Sequence, residues 1–169
     1  MNRHGSSSPW ADALRGGVAG AVATALMDLV TTGLSEGQSK ETTQREAAAS
    51  PNGKSSVANL VDRLERSSGL ALDPDQRAIA ERAIHYGLGV VPGALYGAFR
   101  GRVPLLGAWR GLLYGAILWA LSDEYLNAKL GLAGPFEAYP LETHLRGLVG
   151  HLVLGAVTDT GVDVLGGGR

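Results

Sequence analysis

The sequence predicts an all-α fold: a polytopic membrane bundle of about four transmembrane helices, with a short amphipathic helix in the first outer loop. Glycine spacing is the first indication. Gly89, Gly93, Gly97 and Gly101 form one ladder and Gly107, Gly111 and Gly115 a second, both inside apolar segments. Each interior glycine costs a water-exposed helix about 1 kcal/mol relative to alanine. In a bilayer, small residues one turn apart let two backbones approach closely, and this offsets the cost. The second indication is charge. Only 18% of residues are charged, against roughly 25% in soluble domains. The third is partition along the chain. A mean hydropathy of +0.06 averages a polar stretch, 36–82, with a nearly charge-free one, 83–122.

The 169 residues suffice for one domain. A net charge of -1 argues against nucleic acid as a partner, which would need a basic stripe. The absence of cysteine excludes disulfides, thiolate catalysis and cysteine-rich metal sites.

Residues 1–9 are Ser-rich and polar and read as a disordered tail. The first apolar segment covers 10–34, with a span at about 13–34. Trp10 and Arg15 suit an interfacial anchor. An arginine followed by an apolar run also fits a signal peptide, but Asp28 interrupts the run and no convincing cleavage site follows. Residues 36–75 form a polar outer loop, of which 36–53 reads as a solvated linker. Within that loop Val57, Leu60, Val61 and Leu64 fall at i, i+3, i+4 and i+7. This predicts an amphipathic helix over 55–67, lying on the membrane or packed over the bundle.

Asp73-Pro74-Asp75 is a helix start: an N-cap, a proline at the first helical position and an acid near the positive end of the dipole. The second span, about 80–99, follows, with a kink expected at Pro92. Arg100 and Arg102 make a tight basic turn. The third span covers about 104–122 with Arg110 inside it, and the fourth 143–165. A span needs about 20 mostly apolar residues; the second and third segments meet this best, since Asp28 and Asp159 break the others. The alternative is a soluble helical bundle. Residues 10–165 thus form a single membrane domain and 166–169 a tail. The basic turn at Arg100 and Arg102 places that end in the cytoplasm, with both termini inside.

This topology sorts the ionisable residues by depth. Asp28, His85, Asp123, Glu124, His144 and His151 all collect towards the outer side. His151 lies about 10 Å deeper than His144. Intramembrane ionisable groups are costly, face a bundle interior or a water cavity, and pair with one another. Histidines beside carboxylates titrate on acidification. Arg82 and Arg146 are candidate partners, and Arg110 could pair with Asp28. Asp159 and Asp163 read as solvated interfacial acids. His85 heads the ladder of Gly89, Gly93 and Gly97, and His151 sits between Gly147 and Gly155. These glycines, with Gly107, Gly111 and Gly115, are the expected helix-packing residues.

Two histidines on small-residue faces also permit a bis-histidine haem at His85 and His151, as an alternative to a protein with no cofactor. The helix-borne spacing of metal ligands is absent, so no metal site is predicted. No phosphate-binding glycine loop and no nucleophile–base motif occurs, so the chain does not read as an enzyme.

The order His85-Tyr86-Gly87, Gly93-x2-Tyr96-Gly97, Gly111-x2-Tyr114-Gly115-x3-Trp119-x3-Asp123-Glu124, Ala138-Tyr139-Pro140-x2-Thr143-His144 and His151-x3-Gly155 resembles the YagU family of bacterial inner-membrane proteins. The resemblance covers 10–164 and is most specific over 85–155. It implies a multi-pass inner-membrane location and, for the namesake, a contribution to acid resistance. It carries over no catalytic residue. The expected function is therefore an acid-responsive membrane protein working through the outer His/Asp/Glu cluster. The alternative is an accessory or structural subunit of a larger membrane complex. Expected partners are the lipid bilayer and other membrane subunits or a second copy of the chain.

Overall fold

In the computed structural model, residues 8–167 are described; the N-terminal tail before Ser8 and the last two residues lie outside them. The described residues form helices joined by turns and short loops, without a strand. Pro9, the last residue of the expected tail, instead opens the first helix, α1 (Pro9–Glu36). In its first turn Arg15 donates to Asp12 at 2.8 Å. The predicted linker contains a second helix, α2 (Lys40–Ala49), capped by Ser39, whose side chain accepts from Thr42 N–H. A short turn (Pro51–Gly53) leads to α3 (Ser56–Ser68), the amphipathic helix. Ser55 caps its start, and Gly69 ends it at φ 72°, a conformation that glycine adopts without strain.

The start predicted at Asp73 is a complete capping box. Asp73 accepts from Gln76 N–H, and the Gln76 side chain accepts from Asp73 N–H. From it α4 (Pro74–Phe99) runs on through Pro92.

The third segment departs from expectation. Residues 104–122 are not one helix. Pro104–Gly107 is a 3-10 turn, and Trp109, Arg110 and Gly111 all take positive φ. The helix α5 begins only at Leu112 (Leu112–Leu118), continues as a π-helix (Trp119–Leu126) and closes at Asn127–Lys129. Gly107 therefore does not share a helix face with Gly111 and Gly115. The last helix, α6 (Leu141–Val162), ends in a π-turn (Asp163–Gly167).

Two helices among the described residues are long and apolar enough to cross a membrane, Pro9–Glu36 and Leu141–Gly166. These are the first and fourth segments, not the second and third. Each contains an 18-residue stretch with at most two charged residues, whereas α4 opens with polar turns and the turn before Leu112 shortens α5.

The four long helices pack antiparallel in the spatial order α4, α1, α6, α5. Glycines set the α1–α4 contact. A methyl group on Gly16 would overlap the Gly93 carbonyl and lie 2.9 Å from Gly97 Cα, and one on Gly93 would lie 3.0 Å from Gly20 Cα. The expected ladder of Gly89, Gly93 and Gly97 thus meets a second one, Gly16-x3-Gly20, on α1. Across α5 and α6, Gly111 and Gly115 meet the backbones of Gly155 and His151, while Gly147 lies against Trp119. Close backbone approach replaces side-chain interdigitation at both seams, the arrangement small residues permit between membrane helices.

One end of the bundle, the turn end, holds a buried polar network. Arg100 donates to Asp159 Oδ1 at 2.9 Å and to the Asp159 carbonyl at 3.0 Å. Arg100 also pairs with Asp163, and Tyr96 donates its hydroxyl to Asp159. Asp159 was expected to be solvated; it is fully buried. The reason is that α4 brings Arg100 and Tyr96 to it from across the bundle. Asp163 is about a third exposed but is also paired. Arg110 is exposed at this same end and does not reach Asp28.

Candidate functional site

At the opposite, cap end the bundle holds an open cavity of about 1100 Å³. Antiparallel packing explains its position: α1 and α5 finish there, and α4 and α6 begin there. Asp28, His85, Asp123, Glu124, His144 and His151 all line it. They form three histidine–carboxylate pairs, each joining two helices.

His85 Nε2 on α4 is 2.8 Å from Asp28 Oδ1 on α1, with both side chains more than a third exposed. His144 Nδ1 on α6 is 2.8 Å from Glu124 Oε1 on α5. His144 Nε2 is 3.1 Å from the Phe136 carbonyl, and the Phe136 ring stacks on the imidazole with centroids 4.0 Å apart. A carbonyl only accepts, so Nε2 carries a proton. The bond to Glu124 then needs a further proton, on the ring or on the carboxyl.

His151 Nδ1 donates to the Gly147 carbonyl at 3.0 Å and lies 3.6 Å from Asp123 Oδ2. Neutral His151 is therefore the Nδ1–H tautomer, with Nε2 as the acceptor. Asp123 also receives a 3.1 Å hydrogen bond from Ser122. It stands within electrostatic reach of His151, Glu124 and His85, so α4, α5 and α6 all contribute to its surroundings.

The polar segment 36–75 covers this end. Arg146 on α6 pairs with Glu46 on α2 and donates to Gln38. Thr143 donates to Glu46 at 3.3 Å, and the Ser50 and Tyr139 hydroxyls lie 3.4 Å apart. Asn59 of α3, buried, ties the cap together: its Nδ2 donates to the carbonyls of Pro51 (3.1 Å), Lys54 (3.3 Å) and Leu132 (3.0 Å). The predicted linker is thus a cap that supplies Glu46 and Ser50 to the cavity. The Arg-Glu-Ala-Ala-Ala run after Ser39 is a strong helix-forming signal that could have located α2.

The His85 Nε2, which an axial haem ligand would use, is bonded to Asp28. Among the described residues no group of three or more histidines and acids could hold a metal ion. Trp119 also lines the cavity, and its Nε1 is buried without a hydrogen-bond partner among the described residues. Comparison of the chain with protein-family models, curated proteins and solved structures returns no match.

Proposed function

We propose that this chain is a multi-pass inner-membrane protein, non-enzymatic, that takes up protons through the histidine–carboxylate cavity on its outer side and so contributes to acid resistance. The carrying observation is the gathering of three such pairs from four helices around one cavity. Imidazoles beside carboxylates change charge over the pH range of an acidified exterior, and burial between helices couples that change to helix packing.

The reading includes four crossings with both termini inside. Besides the two most apolar helices, α4 exposes Leu88, Val91, Leu95 and Phe99, and α5 exposes Ile117 and Leu121. A belt of this kind suits lipid better than water. At the turn end, Arg100 is neutralised by its acids, but Arg102 and Arg110 are exposed and keep that end basic. The resemblance to the YagU family points the same way.

Survival of cells at low pH tests the reading. Replacing His85 and His151 by alanine, with protein level held constant, is expected to lower survival. Unchanged survival would sink the proposal.

A further inference from the structure

The turn between α4 and α5, residues 100–111, carries two residues in strained backbone. Trp109 and Arg110 take φ 50° and 56°, the left-handed region that side chains other than glycine rarely adopt. Gly111 follows at φ 82°, and the packing explains it. A methyl group there would overlap the Gly155 carbonyl and lie 2.9 Å from Asp159 Cβ, so α5 enters its seam with α6 on a bare glycine. Nothing inside the chain explains Trp109 and Arg110 in the same way. Trp109 is 74% exposed and Arg110 is exposed, so neither gains burial from its conformation. Backbone strain clusters where a protein holds a ligand or partner, so strain that buries nothing points to a contact outside the chain.

What the turn exposes defines that contact. Leu105, in the same turn, is 65% exposed, and Trp10, which starts α1 at this end, is 82% exposed. Arg102 and Arg110 are exposed and make no ion pair among the described residues. Arg102 donates to the Ala98 carbonyl at 2.6 Å, which leaves its charge uncompensated. No acid occurs anywhere in 83–122. The acids that reach this end from other helices are already paired, Asp12 with Arg15, and Asp159 and Asp163 with Arg100. One short turn thus presents two unmatched guanidinium groups together with exposed aromatic and aliphatic side chains.

We propose that this turn docks on anionic phospholipid headgroups at the inner face of the bilayer. Arg102 and Arg110 pair with headgroup phosphates, which a guanidinium meets with parallel N–H donors. Trp109 and Leu105 sit at the boundary between headgroups and acyl chains, where an amphipathic indole is favoured. Charge complementarity selects the partner. Basic residues beside a membrane are drawn to anionic lipid, whereas a zwitterionic headgroup has a phosphate but no net charge to attract them. The inference goes beyond the proton-uptake reading and uses none of its cavity residues. It rests only on the chain being embedded in a bilayer.

The test uses tryptophan quenching by acyl-brominated lipid. The full chain carrying Trp10→Phe and Trp119→Phe keeps Trp109 as its one tryptophan. It is placed in phosphatidylcholine vesicles to which brominated phosphatidylglycerol or brominated phosphatidylcholine is added in steps. The anionic lipid is expected to half-quench Trp109 at the lower mole fraction, by about fivefold for each arginine engaged. Arg110→Gly in the same background relieves the left-handed strain and removes one cation. It is expected to unfold in detergent no more easily than its parent by circular dichroism, yet to lose about fivefold of the preference. Adding Arg102→Gln is expected to abolish what remains. Equal quenching by the two lipids, a preference untouched in the double variant, or a destabilised Arg110→Gly chain overturns the docking turn while leaving the membrane reading intact. Failure of the protein to float with the vesicles overturns the membrane reading and this inference with it.

Discussion

Arg100 Nη1 donates to Asp159 Oδ1 at 2.9 Å, with the arginine side chain 5% exposed and the aspartate 1%. The pair closes the turn end of the bundle across α4 and α6. Removing one partner leaves a buried charge uncompensated. Arg100→Met is therefore expected to cost about 3–5 kcal/mol, and Arg100→Met with Asp159→Leu much less than Arg100→Met alone. Unfolding in detergent followed by circular dichroism measures both.

The glycine seam between α1 and α4 makes a sharper contrast. Gly93→Ala places a methyl group against the Gly16 carbonyl and Gly20 Cα. It is expected to destabilise by about 1–3 kcal/mol through overpacking. Gly87→Ala, on the same helix, meets nothing within 4 Å and is expected to stabilise by up to about 1 kcal/mol through helix propensity. Equal effects of the two would contradict the seam.

Asn59 bridges α3, the turn before it and the loop carrying Leu132. Asn59→Leu removes these donors and leaves the buried bond to the Leu132 carbonyl unmade, an expected loss on the order of 1–3 kcal/mol. Limited proteolysis within 36–75 should accelerate in the same variant, since the cap opens locally before the bundle does.

In the cap, Lys54 and Arg77 both donate to Asp62 and hold its carboxyl below the usual range, Lys54 contributing most. A carboxylate whose folded value is depressed adds stability that is present above its unfolded value and is lost as pH falls through the folded one. The α3–α4 contact is thus expected to loosen on acidification below about pH 4. Asp62→Asn should be weaker at neutral pH and lose this acid-side dependence. Hydrogen exchange of α3 against pH reads it directly.

Much of this architecture was legible in local signals. Asp73-Pro74-Asp75 marks a helix start because capping is settled within one turn. The spacing of Val57, Leu60, Val61 and Leu64 reveals α3 because the helix turns Val61 fully and Val57 and Leu60 partly inward, while Leu64 at its end is half exposed. Gly89, Gly93 and Gly97 announce a close seam, although their partner, Gly16-x3-Gly20, stood in the first segment without being paired to them. The rest depended on long-range contact. Nothing near Asp159 in sequence tells that Arg100 and Tyr96 neutralise it from α4. The break before Leu112 was hidden because an apolar run of Leu, Ala and Trp looks alike as helix or turn until Trp109, Arg110 and Gly111 take positive φ. The polarity of 36–53 suggested solvated chain, yet Glu46 is polar because it meets Arg146. At the site, depth sorting grouped the six ionisable residues, but which histidine meets which acid required the helix order.

The proposed function requires that these histidine–carboxylate pairs take up protons. Nitrogen NMR of histidine-labelled full-length protein in lipid nanodiscs, titrated between about pH 8 and pH 5, tests it most directly. His85 and His151 should shift with pH, and Asp123→Asn should displace the His151 transition. Imidazole signals that stay unchanged across the range, or a His151 transition indifferent to Asp123→Asn, would contradict it.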